Sequence, residues 1–225
     1  MEKGAIGFFD LIAGTRTQVQ ESMEPYTFGT LYFLHRRGDM KTIQAVLVTM
    51  WGALVVIPSS AQEAHLRTLA ATGTVQEIRE ALRYSSEVNK RDASGVSTLM
   101  LAAGSNHDVG VIAVLISAGA DINLRNRSGE SALFYAAQSN PNPEMISALL
   151  KAGAALDDRD ALGRTPLMAA AWGNSNPAVI TLLLTAGADA KAKSGAGKTA
   201  LDYAQDNPSM SAGSEGYQAL QEAMR

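Results

Sequence analysis

Few residues in this chain have types and spacings that could do chemistry, and the histidines and one acidic cluster are the first to consider. His35, His65 and His107 are 30 and 42 residues apart, so no local pair has the spacing of metal ligands or of a base beside a nucleophile. The acids of residues 157–160 could suggest a calcium loop, but the turn glycine and the closing glutamate of such a loop are missing. We therefore interpret Asp157, Asp158 and Asp160 as part of a solvated hairpin and predict no metal site.

A glycine-rich stretch is the second candidate. Residues 194–199 read Ser-Gly-Ala-Gly-Lys-Thr, which resembles the end of a phosphate-binding loop. That motif needs glycine where this chain has Ala192, and it needs a buried strand before the loop and a long helix after it. No nucleophile, acid/base pair or metal site is visible elsewhere, so the sequence predicts no cofactor and no enzyme.

Composition and charge narrow the classes of partner. With 46% hydrophobic and 18% charged residues, the 225-residue chain has the composition of a soluble globular protein. Its 19 basic and 22 acidic residues give a net charge of −3, so no positive field holds nucleic acid by counterion release. The chain contains no cysteine, which excludes disulfides, thiolate nucleophiles and cysteine-based zinc sites.

The clearest pattern is a repeat of 34 residues. In one set of glycines, each has a serine or threonine two positions later and a leucine four positions later. This set consists of Gly95, Gly129, Gly163 and Gly197. A second set with the same period consists of Gly119, Gly153 and Gly187. Because both sets keep one phase, we interpret most of the chain as a stack of equivalent units.

Each unit is predicted to hold two short helices and a hairpin. The hydroxyls that cap the first helix are Ser97, Ser131, Thr165 and Thr199. Proline at position 166 suits a first helical turn, and alanine pairs such as that at 136–137 allow close packing. The seam between neighbouring helices is predicted to contain Leu99, Leu133, Leu167 and Leu201. The second helix, for instance residues 144–152, ends at a glycine of the second set, and a tight hairpin then turns near a glycine of the first set.

These features resemble the ankyrin repeat, whose pattern is a turn glycine, Thr-Pro-Leu-His, two alanines, a leucine pair, Gly-Ala-Asp and a variable hairpin. The resemblance covers Leu66 to Arg225 and implies an all-α repeat fold, an ankyrin solenoid of about five helix-turn-helix units with β-hairpin-like connecting loops. The period is 34 rather than 33, and the position of the histidine holds Met100, Phe134, Met168 or Asp202. Loops such as Asn-Pro-Asn-Pro at 140–143 resemble those of bacterial members.

The resemblance places the units near residues 66–91, 92–125, 126–159, 160–193 and 194–225. The first and last units are expected to be caps, because each has one face without a neighbour. In the last unit Tyr217, Leu220 and Met224 form one apolar face, which predicts a closing helix.

The resemblance also implies a monomeric, non-catalytic module that binds another protein. In ankyrin proteins the variable positions lie beside each turn glycine and directly after the alanine pair. These positions, the predicted partner contacts, are Ala93, Val96, Gly104 and Ser105, then Arg127, Glu130, Gln138 and Ser139, then Ala161, Arg164, Trp172 and Gly173. Trp172 is either an exposed binding aromatic or a packed one.

Two alternative functions remain open for the chain. One is an inhibitor or immunity-type protein of an envelope enzyme, and the other is an effector released towards a host.

A basic residue precedes each hairpin turn, and this series, the basic ladder, consists of Arg91, Arg125, Arg159 and Lys193. Stacking would align the four positive charges along one edge of the solenoid. In one interpretation their aliphatic stems pack on the next hairpin while the charges stay in water. In the other, the edge steers an acidic partner towards the binding surface.

The N-terminal residues show a sequence pattern that differs from the repeat. Basic residues at 36, 37 and 41 precede an uncharged apolar run over residues 43–57, and small residues follow at Ser59 and Ala61. This order predicts a signal peptide over residues 40–61, cleaved between Ala61 and Gln62, and therefore a periplasmic or secreted protein with no membrane contact after cleavage. We interpret Met40 as the start and residues 1–39 as an upstream extension that is disordered or not native. The alternatives for residues 43–57 are an N-terminal membrane anchor and a buried core helix.

Overall fold

The computed structural model of this chain describes residues 45–48, 54–57, 59–83, 88–210 and 213–225. Residues 59–225 form one unit, and its described parts contain ten α-helices. In chain order they are α1 Ser59–Thr72, α2 Val75–Leu82, α3 Thr98–Ser105, α4 Gly110–Ser117, α5 Ala132–Ser139, α6 Pro143–Lys151, α7 Pro166–Gly173, α8 Ala178–Thr185, α9 Ala200–Ala204 and α10 Glu215–Ala223. The odd-numbered helices stack on one another in one row, and the even-numbered helices form a second row.

The first helix of each repeat begins where the sequence predicts. The four predicted hydroxyls each accept a hydrogen bond from the amide three residues later, at 3.3–3.4 Å. Proline 166 is the first residue of α7. In the last unit Asp202 takes the histidine position, and its carboxylate accepts from the amide and the hydroxyl of Thr199. These bonds hold the pKa of Asp202 below its usual value.

The glycine pattern is confirmed, because all seven glycines of the two sets have a φ between +71° and +98°. Each hairpin also contacts the next through the backbone. The amide of Ala161 donates to the Ser128 carbonyl at 2.7 Å, and the amide of Gly195 donates to the Leu162 carbonyl at 2.8 Å. The hairpins are therefore hydrogen-bonded to one another as well as joined by the helices below them.

The core runs through the stack along the seams between units. Leu99, Leu133 and Leu167 are buried there, together with the paired alanines that let neighbouring first helices approach closely. Leu149 of the second row is fully buried as well. Leu201 is predicted in the same seam but is only half-buried, because among the described residues no further first helix packs beyond α9.

The ends of the stack differ in how they close. At the start, α1 begins at Ser59, several residues before the predicted first unit, and Leu66 and Ala70 are its buried core residues. At the end, α10 confirms the predicted closing helix. Leu220 is buried, and Tyr217 and Met224 are half-buried against the core.

The described part of residues 1–58 is an antiparallel pair of strands, β1 Ala45–Val48 and β2 Leu54–Ile57, with Ala45 opposite Ile57. The buried-helix interpretation of residues 43–57 is wrong for these two segments, whose valine-rich sequences favour strands. Residues 1–44, including the predicted start at Met40, lie outside the described residues. Among the helices described, none is long and apolar enough to cross a membrane.

Candidate partner-binding surface

The surface that could contact a partner depends on a rigid stack, and four buried asparagines tie its units together. This asparagine relay consists of Asn106, Asn140, Asn174 and Asn207. Each side-chain amide donates to two carbonyl oxygens of the preceding unit, at 2.7–3.1 Å. Each side-chain oxygen accepts from the amide two residues later in its own chain segment. Asn106, Asn140 and Asn174 follow the 34-residue repeat and Asn207 comes 33 residues later, but their residue type does not distinguish them from ordinary loop asparagines in the sequence.

A second, exposed set of side chains fixes where each hairpin begins. Asn89 donates to the Gly119 carbonyl at 2.8 Å, and Asn123 donates to the Gly153 carbonyl at 3.3 Å. Each also accepts from an amide of the next unit, through the Asp121 and Ala155 nitrogens respectively. These bonds fix the start of the second and third hairpins relative to the unit before each of them.

The acidic cluster proves to be structural. Asp157 accepts from the amide of residue 189, in the next unit, and Asp158 is buried and paired with Arg125. Asp160 stabilises the turn that it begins, because one of its carboxylate oxygens accepts hydrogen bonds from the amides of Leu162 and Arg164. No cluster of three or more histidines and acids that could hold a metal ion occurs in the described part of the chain. The stretch at 194–199 is the fourth hairpin turn, as its phase in the repeat predicts.

The basic ladder is bonded along the stack. The guanidinium of Arg91 donates to the Arg125 carbonyl at 3.3 Å, and that of Arg125 donates to the Arg159 carbonyl at 2.9 Å. The guanidinium of Arg159 donates in the same way to the Lys193 carbonyl at 2.8 Å. These contacts support the structural interpretation of the ladder. Its residues remain exposed, so the steering interpretation stays a prediction.

Most of the predicted contact residues reach the surface. Those that are exposed are Ala93, Ser105, Arg127, Ser139, Ala161, Trp172 and Gly173, while Glu130 and Gln138 are half-buried. Val96 and Gly104 are buried instead. The side chain of Val96 lies in the core cluster, and its carbonyl accepts from Arg67 at 2.6 Å. These two residues are therefore not available as partner contacts.

Arg164 is predicted from the sequence to contact a partner, but its side chain is bound within the stack. Its guanidinium donates to Asp160 at 2.7 Å and lies 3.6 Å from Glu130 of the preceding hairpin. It also lies 5.3 Å from the centroid of the Phe134 ring, and its side chain is only 16% exposed. Arg164 thus joins two hairpins, and its charge is already compensated within the stack.

Two large apolar side chains are the most exposed in the described part of the chain. Leu162 is 64% exposed at a hairpin tip, and Trp172 is 46% exposed at the end of α7. Both belong to the unit at 160–193. The open question about Trp172 is resolved in favour of exposure. Leu162 was missed because a leucine at a turn gives no indication in the sequence that it lies outside the core.

Two titratable groups beside the hairpins, Asp92 and Tyr135, have shifted pKa values. Burial alone would raise the pKa of Asp92, but the amides of Val96 and Ser94 and the charge of Arg67 together lower it. Burial raises the pKa of Tyr135, whose hydroxyl accepts from Asn126 at 3.1 Å. Neither shift moves a group towards neutral pH, so these two groups give the surface no pH switch there.

Comparison with protein-family models gives two overlapping matches, residues 99–194 and 133–223, to a model described as ankyrin repeats (3 copies). The chain belongs to the ankyrin-repeat family. The all-α repeat fold that the sequence predicts is thereby confirmed, and ankyrin repeats generally mediate protein–protein interactions. No curated protein matches the sequence.

In this ankyrin-repeat domain, one set of residues maintains the fold and another lies where it can contact a partner. The repeating caps, glycines, leucines and asparagines hold the backbone, while most of the predicted contact positions, which differ from unit to unit, reach the surface. Such a stack presents an extended, rigid surface, which suits binding of a partner protein. The family is typically non-catalytic.

Proposed function

We propose that this ankyrin-repeat domain binds one partner protein through its hairpin tips and the exposed ends of its first helices. The observation that carries the proposal is the exposure of Trp172. The equivalent positions in the other units hold Gly104, Gln138 and Asp206, so no requirement of the repeat places an aromatic residue there. A tryptophan that is 46% exposed on a rigid helix end is the type of residue that dominates binding energy at protein interfaces.

The surroundings of Trp172 suit such a role. At the adjoining Gly173, an added Cβ would lie 3.3 Å from the Gln138 side chain, so the neighbouring unit closes one side of this helix end. Ser105 and Ser139 are exposed at the ends of the two preceding first helices. The partner would therefore meet an aromatic side chain bordered by small polar groups, which is the usual composition of an interface centre and its rim.

Replacing Trp172 by alanine should weaken partner binding by roughly tenfold to a thousandfold, since interface tryptophans commonly contribute several kcal/mol. The fold should persist, because the side chain is not part of the core. The measurement is quantitative capture of the partner from the native source by the full chain, followed by titration of that partner. Glu144→Ala, an exposed change on the second row of helices, is the matched control. Equal capture by the wild type and both variants would contradict the proposal.

We propose further that the domain works in a bacterial cell envelope, or outside the cell, after removal of residues 40–61. The support is the order of basic, apolar and small residues up to Ala61. Cleavage there would take only Ser59–Ala61 from α1 and would leave its buried residues Leu66 and Ala70 in place.

Intact mass spectrometry of the protein from its native host tests the export proposal, and we expect a mature chain that begins at Gln62. A membrane-bound species that retains residues 43–57 would support the anchor instead. Peptides from residues 1–39 in native material would refute Met40 as the start.

A further inference from the structure

Several cations of the hairpins take part in no ion pair within the described residues. Within the described ranges, ion pairs engage Arg67, Arg83, Arg125, Arg164 and Lys198. They do not engage Arg127, Arg159 or Lys193, which are all exposed and lie on three consecutive hairpins. Arg159 and Lys193 hold equivalent positions of the repeat, Arg127 lies two residues further along its own hairpin, and all three side chains are exposed to solvent.

Most of the nearby carboxylates are engaged elsewhere in the stack. Asp92 pairs with Arg67, and only Asp202 is affected by one of the three cations, since the charge of Lys193 helps to lower its pKa. Asp158 and Asp160 are buried and paired within the stack, and Glu130 faces Arg164. Asp157 is exposed, but it lies at the start of its hairpin and accepts from the amide of Asp189. Arg127 and Arg159 thus keep charges that no described carboxylate pairs with, and Lys193 adds a third that is only partly compensated, which favours an acidic partner.

Leu162 lies among these cations. Arg127 is on the hairpin before it, and Lys193 is on the hairpin after it, directly before the turn. Its backbone is held by the 2.8 Å bond from the Gly195 amide, while its side chain is 64% exposed. A leucine fixed in this way can bury apolar surface on binding with little loss of backbone entropy.

We propose that the hairpin edge, defined as Leu162 with Arg127, Arg159 and Lys193, binds an acidic, extended segment of the partner that places one apolar side chain against Leu162. This inference rests on the proposed function and names the chemistry of the segment. Stacked helices lie about 8–10 Å apart, so the edge spans about 20 Å over two steps of the stack. An extended segment of about six residues covers that length.

An anionic membrane would also meet the cations, but the leucine argues for a peptide. Membrane attachment through an amphipathic surface needs a broad apolar face together with the charges. In the described hairpins a single large apolar side chain is exposed, and one side chain matches one residue of a bound segment.

The test uses the full chain and three synthetic peptides of about seven residues, a length that covers the edge when extended. The first has glutamates around a central leucine, the second has alanine in place of that leucine, and the third has lysines around the leucine. Binding is followed by fluorescence anisotropy at low and at high salt. We expect the acidic leucine peptide to bind roughly threefold to tenfold more tightly than the acidic alanine peptide, because it buries more apolar surface.

Leu162→Ala should abolish the difference between the two acidic peptides without lowering stability, because its side chain is mostly exposed. Arg127→Glu should weaken both by about tenfold at low salt and by less at high salt, since salt screens exposed charges. Lys151→Glu, at the end of α6 on the second row of helices, makes the same charge change away from the hairpin tips and should have little effect. Chemical-shift mapping by NMR should place the perturbed amides on the hairpins.

Three results would overturn the inference: equal binding of the lysine peptide, no effect of Leu162→Ala, or no binding of either acidic peptide at millimolar concentration. Binding to phosphatidylcholine–phosphatidylglycerol vesicles instead of the peptides would assign the edge to membranes. Partner capture that survives Leu162→Ala and Arg127→Glu but is lost with Trp172→Ala would overturn this inference and leave the proposed function intact.

Discussion

Replacing Asn140 by alanine should lower the free energy of unfolding by about 2–5 kcal/mol, the largest single loss that we expect from a polar residue here. Asn140 is fully buried and donates to the carbonyls of Ala103 and Asn106 at 2.9 and 2.8 Å. It also accepts from the amide of Asn142. Alanine leaves two carbonyls and one amide without these partners, and the site gives water little access.

Urea unfolding followed by circular dichroism measures the effect, and Asn123→Ala is the matched control. Asn123 also bridges two units, through one donated and one accepted bond, but its side chain is exposed. Water can replace those bonds, so the control should lose less than about 1 kcal/mol. Similar losses in the two variants would mean that burial does not decide the contribution of these asparagines.

Gly163→Ala should cost about 2–5 kcal/mol, because it combines two penalties. The φ of Gly163 is +71°, where an L side chain is strained. A Cβ at this position would also lie 2.9 Å from the amide nitrogen of Gly195 in the next hairpin. Relief of that contact requires the two hairpins to separate, which breaks the bond from the same amide to Leu162.

Gly197→Ala separates the two penalties. Its φ is +76°, but an added Cβ meets no atom within 4 Å among the described residues, because no hairpin follows it in the stack. Only the backbone strain of about 1–2 kcal/mol should remain. Thermal unfolding of both variants gives the comparison. A loss at Gly197 as large as that at Gly163 would show that the contact between hairpins contributes nothing.

The features that could be predicted from sequence are those in which local backbone geometry dictates the residue type. A positive φ favours glycine and a helix start favours a hydroxyl, so Gly129 and Thr165 could be assigned their roles from type and phase alone. The buried leucines followed from the same phase. Leu201 was misjudged because its position in the repeat is ordinary, and only its place at the end of the stack differs.

The asparagine relay could not be predicted in the same way. An asparagine in a loop is an ordinary turn residue, and Asn140 stands in a segment that reads as polar and exposed. Its partners are carbonyls more than thirty residues earlier, which no local rule identifies. The recurrence of asparagine at 106, 140 and 174 was the one available indication.

The candidate surface was predicted in part. The family resemblance identifies positions that vary, but variation alone does not separate exposed side chains from those that support their neighbours. Val96 and Arg164 both vary between units, yet one is buried and the other joins two hairpins. Exposure of Leu162 depends on the direction of a turn in three dimensions, which spacing does not specify.

The asparagine relay gives the stack a direction. Every relay side chain reaches back to the unit before it, so each unit supplies the carbonyls on which the next one closes. Within the relay, loss of the last unit would leave the carbonyls of Ala171 and Asn174 without their donor, whereas loss of the first would leave the side-chain amide of Asn106 with neither of its two acceptors. A chain that emerges from the ribosome, or from a translocation channel, delivers its units in the order in which they can be closed. Assembly can therefore keep pace with emergence, each new unit ordering itself on a template that is already in place.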